Sequence, residues 1–155
     1  MEPELLIQFK DLVQLKDLGL GAALGLSAVG SGLGAGVAAM AAIGAWKKAF
    51  SQNKSASFIL VAFVGAPLTQ TIYGMILMNR MVALANRGVY VWGVGVLCGI
   101  AIGVSALMQG KAAAVACDAM GETGKGFGNY MVALGIIETV ALFVLAFGMA
   151  LLGKL

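Results

Sequence analysis

The chain has 155 residues, of which 61% are hydrophobic and 11% are charged. This composition and the mean hydropathy of +0.97 exclude an ordinary soluble globular domain. The net charge is only +3, and the basic residues stand at the ends of apolar runs, so a nucleic-acid-binding protein is excluded as well.

The N-terminal segment, residues 1–17, does not look like a cleavable signal peptide. It begins with Met1-Glu2-Pro3-Glu4, which is acidic where a signal peptide is basic. The residues that follow mix apolar and charged side chains. Two interpretations stay open: a helix lying at the membrane interface, or a frayed tail.

Four runs then follow that contain almost no charge: residues 18–46, 55–79, 88–110 and 126–153. A helix needs about 20 apolar residues to cross a bilayer, so each run is long enough. The runs predict an all-α, multi-pass protein of the cell membrane. Its four transmembrane helices form two tandem hairpins, residues 18–80 and 88–153.

Glycine is concentrated in the first and third spans. The first span contains several pairs, among them Gly30 and Gly34, and the third carries Gly95, Gly99 and Gly103 at a spacing of four. Small residues at this spacing let helices approach closely in lipid. The pattern fits ordinary helix packing within the chain. We favour the stronger interpretation that these spans line the inner wall of a ring, with the second and fourth spans outside.

The two halves of the chain resemble each other. The tripeptide that starts at Ser31 parallels the one at Ser105, and Gln70-Thr71 parallels Glu138-Thr139. This pattern predicts a duplicated hairpin in which both copies run the same way across the membrane. Gln70 then takes the place that Glu138 holds in the second copy.

The second span places polar groups on one helical face. Ala66, Thr69, Gln70 and Tyr73 follow helical spacing, so they share this face at membrane depth. Pro67 has no N–H and loosens the local backbone, which makes nearby carbonyl oxygens available as ligands.

Glu138 is the one charge inside the fourth run. A carboxylate in the middle of a bilayer costs about 2.5–3.5 kcal/mol on insertion scales unless it is protonated or paired with a cation. Gln109, at the end of the third run, adds an amide oxygen. Oxygens from these side chains and one carbonyl suit a hard cation, and a single negative charge favours a monovalent ion. An alternative is that Thr69, Gln70 and Gln109 only join helices by hydrogen bonds.

Other residues suggest no further chemistry. Cys98 and Cys117 have neither metal-site nor disulfide spacing, and the chain has no histidine. The segment Gly121–Gly126 resembles a phosphate-binding loop only superficially, and we expect a turn there.

Taken together, these residues resemble those of a known family. The glycine-rich first span, the run from Pro67 to Gln70 with Tyr73, the run from Gln109 to Ala113, and Glu138-Thr139 are similar to the K-type or c-type proteolipid subunit of vacuolar/archaeal-type rotary ATPases. The similarity is strongest to the four-helix, sodium-binding bacterial form and covers nearly the whole chain after about residue 18.

The resemblance implies a rotor-ring subunit that carries Na⁺, or alternatively H⁺, and is not itself an enzyme. It implies Glu138 as the ion-carrying carboxylate, with the other ligands from Thr69, Gln70, Gln109 and the backbone carbonyl of Ala66. It implies that Tyr73 holds the carboxylate in place.

The implied partners are identical subunits in the ring, membrane lipid, a stator subunit with an arginine, and a central-stalk subunit at the polar loops. Two competing hypotheses remain: a small four-helix exporter that uses Glu138 for proton-coupled exchange, and a purely structural membrane protein.

Overall fold

The computed structural model describes the backbone from Pro3 to Leu155 and the side chains from Leu18 onward. The described chain is helical and contains no strand. Its helices are α1 (Pro3–Ser51), α2 (Leu60–Gly65), α3 (Thr69–Ala85), α4 (Trp92–Thr123) and α5 (Phe127–Leu152). A single 3₁₀ turn, Ala66–Leu68, joins α2 to α3.

The predicted all-α fold with four transmembrane helices is confirmed for this part of the chain. The segments Leu18–Ser51, Leu60–Ala85, Trp92–Thr123 and Phe127–Leu152 are each long and apolar enough to cross a membrane. The prediction for residues 1–17 concerns side chains outside the described residues, so it stays a prediction.

Several helix ends differ from the expected hairpin limits of 18–80 and 88–153. Helix α3 continues to Ala85, and α4 begins only at Trp92. Helix α4 also runs on to Thr123, so the predicted turn Gly121–Gly126 is shorter than expected. The physical reason is that uncharged runs mark where a helix is apolar, whereas a helix can continue beyond that point into a polar environment.

The short connection between α4 and α5 depends on two glycines. Gly124 has φ +66° and Gly126 has φ +92°, both in the left-handed region that favours glycine. The connection in the first hairpin, residues 52–59, is longer. This difference agrees with the sequence repeat, in which Ser31 and Ser105 are 74 residues apart but Gln70 and Glu138 only 68.

Helices α1 and α4 run parallel and in close contact. A Cβ atom added at Gly30 would overlap the carbonyl of Gly103, and one added at Gly110 would overlap the backbone of Gly34. At the other end, one added at Gly99 would lie 2.6 Å from the carbonyl oxygen of Ala22. Residue numbers rise together along both helices, so the two hairpins have the same direction.

Two apolar clusters stabilise the bundle at different depths. One cluster lies near the connections within the two hairpins and includes Phe63 and Leu134. The other lies near the connection between α3 and α4 and includes Leu77 and Leu152. In the first cluster the ring of Phe63 packs on that of Phe127, with centroids 5.4 Å apart. Polar side chains from α3, α4 and α5 meet at the level between the clusters.

Polar contacts stabilise the end of the bundle where α1 connects to α2 and α4 connects to α5. The Trp46 indole donates a hydrogen bond of 2.8 Å to the carbonyl of Ser57 in the first connection. Lys48 on α1 forms an ion pair with Glu122 on α4. This pair borders a polar groove of about 380 Å³ that also includes Gln52 and Lys54.

Candidate ion-binding site

The site begins at the 3₁₀ turn around Pro67. Proline has no N–H to donate to the carbonyl of Phe63, and the N–H of Ala66 bonds to that carbonyl instead. The chain tightens there before α3 starts at Thr69. The expectation that Pro67 loosens the backbone is therefore wrong in form: the missing N–H is accommodated by a tighter 3₁₀ turn.

Glu138 on α5 accepts hydrogen bonds from three residues. The Thr69 and Tyr73 hydroxyls each donate to Oε1 at 2.7 Å. The Gln109 amide donates to Oε2 at 3.3 Å. Because all three partners are donors, the arrangement suits an ionised carboxylate.

Thr69 lies at the centre of a group of oxygens. Besides its bond to Glu138, its Oγ1 is 3.2 Å from Gln70 Oε1 and 3.3 Å from the Ala66 carbonyl oxygen. A hydroxyl has one hydrogen, so the 2.7 Å bond to Glu138 takes it. The two longer contacts are then approaches between oxygens, and four oxygens from three helical segments face one another.

The two glutamines form the floor of the site. Gln70 Nε2 donates to Gln109 Oε1 at 2.6 Å, and both side chains are almost completely buried. Gln109 Nε2 also donates to the Leu134 carbonyl at 3.1 Å. These bonds connect α3, α4 and α5 at the depth of the carboxylate.

All six residues singled out in the sequence come together here: Ala66, Thr69, Gln70, Tyr73, Gln109 and Glu138. The expectation that Tyr73 donates to Glu138 matches the geometry. Sequence reasoning missed the backbone contacts on α5. Ser105 donates to the Ile137 carbonyl at 3.0 Å, and no signal in the sequence pointed to this bond.

No described cationic side chain pairs with Glu138 in the single chain. Glu138 is half-buried, and the described residues form one ion pair, Lys48 with Glu122, at the polar end of the bundle. An unpaired carboxylate at membrane depth is costly. A carboxylate at this depth is stable in lipid only if a proton or a cation neutralises it.

Similarity to known proteins covers both the site and the bundle. Residues 92–151 match the family of ATP synthase C subunits. Over 145 residues the chain is 34% identical to the K subunit of the A-type ATP synthase of Methanocaldococcus jannaschii. That alignment covers 92% of this chain and 63% of the relative. The chain therefore spans a little under two thirds of the relative's length.

Proposed function

We propose, from the premise that this chain belongs to the family of ATP synthase C subunits, that it is a rotor-ring subunit of an A/V-type ATPase. In this proposal the chain is a multi-pass membrane subunit without catalytic chemistry of its own. It carries a monovalent cation on Glu138 while other subunits make or hydrolyse ATP. The observation that carries the proposal is the convergence of three donors and a group of oxygens on that carboxylate.

The spacing of the oxygens supports a metal cation as the cargo. Hard cations such as Ca²⁺ take oxygen ligands at about 2.3–2.6 Å, so adjacent ligand oxygens around such an ion lie about 3.4 Å apart. Thr69 Oγ1 lies 3.2 Å from Gln70 Oε1 and 3.3 Å from the Ala66 carbonyl oxygen. In this proposal these oxygens turn toward a cation that lies next to Glu138.

Charge and ligand type favour Na⁺ over H⁺ and over divalent ions. One carboxylate with one Na⁺ is neutral, whereas a divalent ion leaves a net charge in lipid. A proton needs only Glu138 and one acceptor, so the amides of Gln70 and Gln109 would be surplus to it. We therefore propose Na⁺ as the cargo, with H⁺ as the alternative.

An exposed glycine face on α1 supports assembly with identical subunits. A Cβ added at Gly21, Gly25, Gly32 or Gly36 would meet no other described atom within 4 Å. These glycines lie opposite the face of α1 that packs on α4. Glycine at this spacing permits close helix contact, so a second copy fits here and places α1 and α4 on the inner wall of a ring.

The remaining partners follow from the same proposal. A Glu138 neutralised by Na⁺ turns through lipid with the ring. An arginine on a stator subunit then displaces the ion, and a fresh ion loads from the other side. The polar groove beside Lys48 and Glu122 supplies a surface for a central-stalk subunit. Similarity to an ATP synthase subunit over most of the chain favours this function over a proton-coupled exporter.

The test is the rate at which dicyclohexylcarbodiimide modifies Glu138 in the purified protein at fixed pH, with and without Na⁺. The reagent needs a protonated carboxyl, so bound Na⁺ slows the reaction. We expect millimolar Na⁺ to protect the wild-type chain, and we expect Thr69→Ala to lose this protection. Choline chloride at equal ionic strength is the salt control.

Thr139→Ala is the matched variant, because Thr139 is adjacent to Glu138 but bonds within its own helix, to the Ile136 carbonyl at 2.6 Å. It should keep the protection by Na⁺. Labelling that responds to pH and not to Na⁺ in the wild-type chain would refute Na⁺ as the cargo and leave a proton-carrying ring.

A further inference from the structure

Ser31 on α1 is a buried hydroxyl without a partner. The residue is 1% exposed, and its Oγ makes no hydrogen bond to any described residue. Its neighbour one turn earlier, Ser27, donates to the Ala23 carbonyl at 2.8 Å. Its counterpart in the second hairpin, Ser105, donates to Ile137. A buried polar group without a partner is unusual enough to need an explanation.

The register of α1 against α3 places Ser31 beside the ion site. A Cβ added at Gly74 would lie 2.6 Å from Ser27 Oγ, and one added at Gly34 would lie 3.1 Å from Pro67 Cβ. The two helices are therefore antiparallel. One turn along α1 from Ser27 and one turn back along α3 from Gly74 bring Ser31 level with Gln70.

Gln70 has an unused donor at this level. Its amide nitrogen carries two hydrogens, and one bonds to Gln109 Oε1 at 2.6 Å. The second has no acceptor within the described part of the chain, although Gln70 is fully buried. An unused acceptor and an unused donor thus lie at the same depth on facing helices.

We propose that Ser31 is a positioning residue for the cation site: its hydroxyl accepts the second amide hydrogen of Gln70 when the cation is bound. The inference rests on the proposed cation-carrying function. A side-chain carboxamide can rotate by about 180°, so that its oxygen and nitrogen exchange positions. An acceptor on the α1 side favours the orientation in which Gln70 Oε1 faces Thr69 and Glu138. Ser31 thereby favours cation binding without touching the ion.

The experiment measures the Na⁺ concentration that halves the labelling of Glu138 by dicyclohexylcarbodiimide, in wild-type protein, Ser31→Ala and Ser27→Ala. Loss of a buried hydrogen bond predicts an increase of about fivefold or more for Ser31→Ala. Ser27→Ala is matched in residue type, helix and burial, and should equal the wild type. The pH profile of labelling without Na⁺ should be the same in all three, since Ser31 does not contact the carboxylate.

A double variant tests the route through Gln70. Ser31→Ala should add no further loss in a Gln70→Ala background, because the amide it positions is gone. The inference is overturned if Ser31→Ala matches the wild type in Na⁺ protection. It is also overturned if Ser27→Ala and Ser31→Ala raise the half-protecting Na⁺ concentration equally. If wild-type protein shows no protection by Na⁺, the proposed Na⁺ cargo fails and this inference fails with it.

Discussion

At the residue scale, the site contains more oxygen atoms than hydrogen-bond donors that can bind them. Thr69 has one hydroxyl hydrogen and gives it to Glu138, while its oxygen approaches two others. In the proposed function, an arriving Na⁺ takes the place of the hydrogen-bond donors as the positive partner of these oxygens. The same side chains can therefore hold an ionised carboxylate before loading and surround an ion afterwards.

Tyr73→Phe tests the hydroxyl that closes the site. It removes a 2.7 Å bond to Glu138 and leaves the ring in place. A hydrogen bond to a charged group contributes about 1.5–3 kcal/mol, and its loss favours the protonated carboxyl. We expect labelling by dicyclohexylcarbodiimide without Na⁺ to become about tenfold faster at fixed pH.

The matched control for that variant is Tyr130→Phe, because Tyr130 packs edge-on against Phe63, away from the carboxylate. Its labelling rate should stay at the wild-type value. Equal rates in wild type and Tyr73→Phe would show that the Tyr73 hydroxyl does not stabilise the charge on Glu138.

At the element scale, the contact between α1 and α4 depends on backbone touching backbone. Gly99 and Gly103 of α4 lie directly against the carbonyls of Ala22 and Leu26 on α1, so there is no flexible side chain to move aside. Lipid gives no hydrophobic drive for two helices to associate, and close packing has to supply the attraction. The contact between α1 and α4 therefore tolerates little added volume.

Gly99→Leu should separate these helices. Its new Cβ would lie 2.6 Å from the Ala22 carbonyl oxygen, and overpacking costs about 1–3 kcal/mol or more. We expect a lower midpoint of thermal unfolding in detergent. Gly93→Leu, on the same helix with open space around it, should stay near the wild type. A shared midpoint for the two variants would contradict the close α1–α4 contact.

At the scale of the whole molecule, the chain leaves two different faces uncovered. Helix α5 exposes bulky apolar residues such as Phe143 and Phe147. Helix α1 exposes apolar side chains such as Leu33 and also its glycine face, which borders a groove of about 570 Å³ lined by Gly21, Gly25 and neighbouring residues. Bulky side chains suit contact with lipid, whereas a glycine groove suits a second helix.

Gly32→Leu should therefore block assembly without unfolding the chain. Gly135→Leu is the control: it places the same side chain in equally open space, but on the lipid-suited face of α5. We expect size-exclusion chromatography with light scattering to give large rings for the wild type and for Gly135→Leu, and small species for Gly32→Leu. A wild-type dimer would instead support the exporter hypothesis.

Much of this arrangement was predictable because charge is excluded from lipid. The uncharged runs revealed the four spans, and helical spacing put Thr69, Gln70 and Tyr73 on one face. Helix ends were less predictable, since Lys111 and Asp118 continue α4 beyond its apolar run. The pairing of Lys48 with Glu122 was also hidden, because it joins residues 74 apart.

The different fates of Ser31 and Ser105 show where repeat symmetry stops being informative. The two serines match in sequence, yet Ser105 bonds to α5 and Ser31 bonds to no described residue. The described part of the first hairpin also contains a 3₁₀ turn at Pro67, which has no counterpart in the second hairpin. Such a difference between the two halves is visible only in the three-dimensional structure.

Gln70 occupies the position that Glu138 holds in the second hairpin, and under the proposed function this amide has a consequence for energy conversion. In the proposed ring, each four-helix unit would carry one exchangeable charge. The free energy of ATP hydrolysis over one revolution is then divided among fewer ions than in a ring of equal girth built from two-helix units. Each ion receives a larger share, so such a machine can pump against a steeper gradient, and synthesis of ATP requires a correspondingly larger one.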